Sequence, residues 1–154
     1  MHVPRGMLGE LNHDQVEQFL HQEVIGRIGC HHEGRTYVVP VTYAYDGEAV
    51  YAHSAEGLKL SMMRANPEVC FEVDHLQDLG NWQSVIARGR FEELEGPAAE
   101  QGLQKLFARV QPLMPADTGG RAHGSMDHRA ETGMKALHIF RIVLRERTGR
   151  FEQR

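Results

Sequence analysis

The feature that most narrows the fold is a two-residue alternation of apolar side chains, repeated along the chain and broken at short intervals by turn residues. Val69, Phe71 and Val73 alternate with Cys70, Glu72 and Asp74, and Val85, Ala87, Gly89 and Phe91 face away from Ser84, Ile86, Arg88 and Arg90. A period of two puts each set on one face of a β-strand. Residues 24–31, 36–45 and 48–53 read as three further strands, separated by Glu33-Gly34 and Asp46-Gly47, which predicts an antiparallel meander. The strand over 82–94 is the longest expected, with Gly89 marking a bulge or tight bend. Residues 134–144 form a closing strand, and the tail RERTGRFEQR is expected in solvent.

Helical signals are fewer. Asn12 stands as an N-cap with Gln15 as its capping-box partner, and Val16, Phe19 and Leu20 follow at helical spacing. A short helix over 58–66 is closed by Asn66-Pro67, because the residue before proline is driven out of the helical region. Gly96-Pro97 opens another, whose stripe is Leu103, Leu106, Phe107 and Val110. Three helices cannot cover a sheet of about six strands. The fold class expected is therefore mainly β: an antiparallel sheet that curls into a barrel, with short flanking helices. A chain of 154 residues suits one domain, with its core over about 8–150.

Composition excludes several functions. With 17 Lys and Arg against 21 Asp and Glu, the net charge of -4 argues against a generally basic nucleic-acid surface. No stretch approaches the roughly 20 apolar residues of a spanning helix, and MHVPRGMLGEL lacks a signal-peptide core, so neither nucleic acid nor membrane is an expected partner and the cytoplasm is the expected location. Cys30 and Cys70 are expected as a reduced, buried pair.

The stretch VYAHSAEGLKLSMMRANP carries the most chemistry. Its small polar loop (His53, Ser54, Glu56, Gly57) runs into a helix N-terminus with Lys59 in the first turn, an arrangement that suits a phosphate. Pro40 lies inside a strand, where it cannot donate to a ladder; it belongs on an edge, at a bulge, or beneath a ligand. His31 and His32 point to opposite strand faces, and His123 with His128 meets no zinc spacing, so no metal site is assigned. Ser54, Ser61 and Ser84 lack a G-x-S-x-G setting, and no catalytic residue is assigned. Glu92, Glu93 and Glu95 read as a solvated strand end, and His138 as a core histidine or a dimer contact.

Four phrases occur in order: YVVPV, HSA-x-G-x-K, R-x-NP-x-V-x-F-E-V-D and W-x-S-V-x-x-x-G. Together they resemble the pyridoxamine 5'-phosphate oxidase-like flavoproteins, particularly the branch that includes nitroimidazole-resistance proteins, over roughly residues 8–150. The resemblance implies a split β-barrel that forms a homodimer with FMN at the interface. It implies that Val39, Pro40, Val41 and Thr42 line the isoalloxazine, that His53, Ser54 and Lys59 approach the phosphate and ribityl chain, and that Trp82, Gln83 and Ser84 reach the flavin from a later strand. The basic cluster that holds the true oxidase's substrate phosphate has no counterpart here. Reduction of a small electron-poor acceptor, such as a nitroaromatic or quinone, is therefore the activity expected, with NAD(P)H or another flavin donor supplying electrons. The alternatives are a non-enzymatic flavin or haem binding or storage protein, and a deazaflavin-dependent reductase.

Overall fold

A computed structural model of the chain describes residues 6–115 and 137–154. In chain order its elements are β1 (Met7–Leu11), α1 (His13–Gln22), β2 (Ile25–His32), β3 (Arg35–Thr42), β4 (Ala44–Tyr45), β5 (Ala49–Ala55), α2 (Leu58–Ala65), β6 (Glu68–Asp78), β7 (Asn81–Glu93), α3 (Gly96–Val110), a 3-10 turn (Gln111–Leu113) and β8 (Leu137–Gln153). The strands form one antiparallel sheet in the order β3-β2-β6-β7-β8-β5-β4, with β1 also paired to β8. The mainly β, antiparallel class expected from the alternation is the class observed.

The two ends of that order, β3 and β4, are separated in the chain by Tyr43 alone. One bend therefore joins opposite ends of the sheet, and the sheet must wrap around to allow it. The bend has a physical cause. Tyr43 is fully buried, its ring meets Phe71 edge-on at 4.9 Å, its hydroxyl donates to Leu20 O at 2.7 Å, and its N–H donates to Val24 O at 2.9 Å. Turning inward to satisfy these contacts diverts the chain out of β3. The expected three-stranded meander is corrected accordingly: β2 pairs with β3 and β6, while β5 pairs with β4 and β8.

Inside the wrapped sheet, Ile28, Leu60, Met63, Phe71, Val73, Val85, Phe140 and Ile142 are almost wholly removed from solvent. The capping box starts α1 as expected: Gln15 N–H donates to Asn12 Oδ1 at 2.9 Å, and Asn12 N–H to Gln15 Oε1 at 2.8 Å. Its stripe of Val16, Phe19 and Leu20 is buried. In α3 only Leu106 of the expected stripe is fully buried; Leu103, Phe107 and Val110 are half-buried. Gly102 is the other buried position, since a Cβ there would crowd Tyr51, Leu94 and Ile139 at 3.1–3.2 Å.

Other expectations change. The longest strand is β8 with 17 residues, against 13 in β7. The tail is part of it rather than solvated, because β1, not anticipated from the sequence, pairs Met7–Leu11 against Gln153–Gly149. Within that tail Arg147 turns back to Glu17 and to the Tyr45 hydroxyl. The bulge at Gly89 is present: the β7–β8 register shifts between Ala87 and Gly89, where a Cβ would lie 2.8 Å from Val143 O. Cys30 is buried, but Cys70 is exposed on the outward face, alternating with buried Val69 and Phe71. Both thiols are free. Among the described residues no helix is long and apolar enough to cross a membrane.

Candidate functional site

Strand β5 ends in the loop that introduces α2, and this short path sets the candidate phosphate site. Gly57 caps α2 without a side-chain hydrogen bond to its first turn. The helix N-terminus thus keeps backbone donors that no side chain occupies, the condition under which an anion is accepted. Lys59 lies half-buried in that turn. Among the described residues no carboxylate lies within 4.0 Å of its ammonium, which sets it apart from Arg27, Arg64, Lys105, Arg141 and Arg147. Burial pulls the Lys59 ammonium below the usual lysine range, and the Cys30 side chain acts in the opposite sense. Helix α2, which carries Lys59, packs against β2, the strand that pairs with β3. Ser54 Oγ donates to Ala55 O at 2.8 Å, and His53 is half-buried on β5 opposite Ile139.

The second group lies on β3. Pro40 and Thr42 are exposed, whereas Val41 is buried in the core and Val39 packs against it. Pro40 thus occupies an edge strand, where its missing N–H disturbs no neighbour. The valines offer a ligand only their backbone; Pro40 and Thr42 offer side chains. From Tyr37, paired with Cys30, to Thr42 the strand runs about 17 Å, enough for a phosphate, a sugar-alcohol chain and a ring in line.

The third group is at the start of β7. Trp82 and Gln83 line a cleft of about 340 Å³ with Asp74, His75, Leu76 and Leu79. Trp82 Nε1 donates to Glu152 Oε1 at 3.3 Å, which fixes the indole. His53, Lys59 and the β3 residues are not among the lining of this cleft. The β3 group and the start of β7 share a surface. By register, Pro40 lies across from Arg27, Arg27 from Glu72, Glu72 from Ile86, and Asp74 from Ser84. Pro40, Thr42, Trp82 and Ser84 therefore face outward from the same wall of the barrel.

That wall holds residues the sequence reading missed. Arg27 Nη1 donates to Glu72 Oε1 at 3.2 Å and to Asp74 Oδ2 at 2.7 Å. Burial first, then the hydrogen bond and like charge of Asp74, push the Glu72 carboxyl up to about 7, with Arg27 opposing. The signal available was a pair of acids two apart on one strand face, opposite a cation on the next. Glu92 and Glu93 are also more than a solvated strand end: Glu92 accepts from Arg141 and Glu93 from Arg64. Among the described residues no group of three His, Cys, Asp or Glu could hold a metal ion, and His123 and His128 lie outside those residues.

Comparison with known proteins gives this wall a lineage. An uncharacterised protein of Rhizobium meliloti (strain 1021) is 36% identical over 128 residues, covering 82% of this chain and 83% of the relative. Among solved structures, a FAD-binding protein from Mesorhizobium loti matches with a TM-score of 0.74 at 28% identity, over 97% of this chain and 99% of the other. A candidate 5-nitroimidazole antibiotic resistance protein from Bacteroides thetaiotaomicron has a TM-score of 0.72 at 18% identity, over 96% and 90%, a likeness of fold. The model of the pyridoxamine 5'-phosphate oxidase family matches residues 12–151, which takes in the edge strand with Pro40, the Lys59 helix and the Trp82 strand together. With nearly the whole barrel inside that match, the chain belongs to the pyridoxamine 5'-phosphate oxidase family and has its split-barrel fold.

Proposed function

We propose that the protein binds FMN on the outer wall of its barrel and uses it to reduce a small electron-poor acceptor. The observation that carries this reading is Lys59: a half-buried cation with no carboxylate partner among the described residues, in the first turn of a helix whose N-terminus no side chain caps. A cation left in that state suits a phosphate monoester. The likeness to the FAD-binding Mesorhizobium protein supports a flavin, and a helix N-terminus with Lys59 in its first turn suits the phosphate monoester of the mononucleotide.

In this reading Lys59 and the first-turn N–H groups of α2 bind the phosphate, with His53 and Ser54 beside the ribityl chain. Pro40 and Thr42, with the backbone of Val39 and Val41, support the ring along the β3 edge. Trp82, Gln83 and Ser84 meet it from β7 of a second copy, in the homodimer that the family resemblance implies. The flavin supplies the hydride chemistry, taken from NAD(P)H and passed to the acceptor. The protein's part is to orient the ring between apolar surfaces and limit water around it.

The purified protein tests this directly. A flavin absorption spectrum, a mononucleotide released on denaturation, and bleaching by NAD(P)H with reoxidation by a nitroaromatic or quinone are expected. A Soret band would instead support a haem binder, and uptake of a deazaflavin with no affinity for FMN would support the deazaflavin reading. Colourless protein that takes up no added flavin would overturn the proposal.

A further inference from the structure

Four ionisable side chains meet behind the loop that presents Lys59. Arg64, in the last turn of α2, donates to Glu93 at the end of β7 through two nitrogens, Nε to Oε2 at 2.9 Å and Nη2 to Oε1 at 2.6 Å. Its third nitrogen, Nη1, donates to Glu56 Oε1 in the β5–α2 loop at 2.5 Å. His138 of β8 lies between the same two carboxylates, with Nε2 3.0 Å from Glu56 Oε2 and Nδ1 3.2 Å from Glu93 Oε1. Arg64 holds both carboxyls below the usual carboxylate range, and the charge of His138 acts in the same sense.

The geometry around His138 is asymmetric in proton demand. Both ring nitrogens face carboxylate oxygens, but a neutral imidazole carries one N–H, so only the protonated ring can donate to both. The charges also close only in that state. Two carboxylates, a guanidinium and an imidazolium sum to zero; with neutral imidazole the group is left with one net negative charge. Among the described residues, the cross-strand Ser54 hydroxyl is engaged with Ala55 O, and Arg141, on the same strand, is engaged with Glu92.

Glu56 lies in the loop between Ser54 and Lys59, so whatever fixes Glu56 fixes the approach to the anion site. We propose that His138 is a positioning residue: protonated, it clamps the short β5–α2 loop, through Glu56, to β7 and β8. When the ring gives up its proton the clamp loosens, and the excess negative charge weakens the hold of Lys59 on a phosphate ligand. The loop clamp stands on the four side chains alone, while its effect on ligand affinity rests on the reading of Lys59 as a phosphate holder.

Two measurements separate these. Amide hydrogen exchange of residues 54–60 without added flavin, corrected for intrinsic rates, should lose about tenfold of its protection between about pH 5.5 and 8.5, the scale of a charged hydrogen bond. His138→Gln should remove that step and His138→Lys, with a lasting cation, should keep protection high at both ends. Glu56→Gln should flatten the step as His138→Gln does, through the other partner. Equal pH responses in wild type and His138→Gln would overturn the clamp. In the second measurement, the ratio of FMN to riboflavin affinity should fall with pH by several-fold more in wild type than in His138→Gln, since only FMN carries the phosphate. An unchanged ratio would overturn the coupling. A pH step in exchange with no flavin bound at any pH would uphold the clamp and reject the phosphate reading.

Discussion

At the scale of single residues, the candidate site rests on Lys59, a half-buried cation with no carboxylate partner among the described residues, and the neighbouring wall on Glu72, whose proton burial and Asp74 hold more tightly. Lys59→Ala removes a charged partner from the phosphate and should weaken FMN binding by about 1.5–3 kcal/mol, read by fluorescence titration. Unchanged affinity would reject the phosphate assignment. Glu72 should leave a signature in stability. In the unfolded chain a glutamate titrates near 4.5, and in the folded wall Glu72 titrates at about 7. The folded state therefore binds this proton more tightly, so the associated stabilisation is fully present below the unfolded value and lost as pH rises through about 7. Denaturation midpoints followed from about pH 5 to 8 should fall more steeply in wild type than in Glu72→Gln; equal slopes would show that the carboxyl does not hold its proton in the folded state.

At the scale of elements, the predictive content lies in β3. Thr42 is exposed beside Pro40 on the outward face, so Thr42→Trp should fill the ring site and abolish flavin binding while leaving the thermal midpoint within a few degrees. A variant that still binds flavin normally would move the ring off this strand. The same element shows what sequence can and cannot reveal. Period-two alternation identified β3, β6 and β7 with their inward faces, because Val39 and Val41, or Phe71 and Val73, must alternate with outward residues whatever lies beside them. It could not reveal that Tyr43 turns the chain from one end of the sheet order to the other, since that depends on Phe71 and on Leu20 O, distant in sequence. The tail after Leu144 looked soluble for a related reason. Its polar side chains are half-satisfied by ion pairs, and only pairing with β1 and β7 reveals a strand. The start of α2 at Lys59 was legible from local chemistry, although His53 and Ser54, expected in the loop, belong to β5; the Arg27–Glu72–Asp74 trio was not, because its members come together only through β2–β6 pairing.

At the scale of the whole molecule, the outward wall carries more apolar surface than a solvated sheet face requires. Leu8, Ile25, Val38 and Ile86 lie on it at 70%, 56%, 60% and 53% exposure, interspersed with Arg27, Glu72 and Arg88. Ile86 sits between Glu72 and Thr148 near the middle of the wall. If that wall is where two copies enclose the flavin, Ile86→Asp should give monomers in light scattering and lower flavin affinity together, with the fold retained. Dimers that persist, or monomers that keep full affinity, would place the second copy elsewhere.

Pro40 has one more consequence. A free eight-residue edge strand with Val38 exposed is the kind of surface onto which another chain's strand can zip, and repetition of that event produces fibrils. A proline at the sixth position breaks the row of donors that such growth needs. The residue proposed to support the flavin ring is thus also one that guards this edge against indefinite self-association.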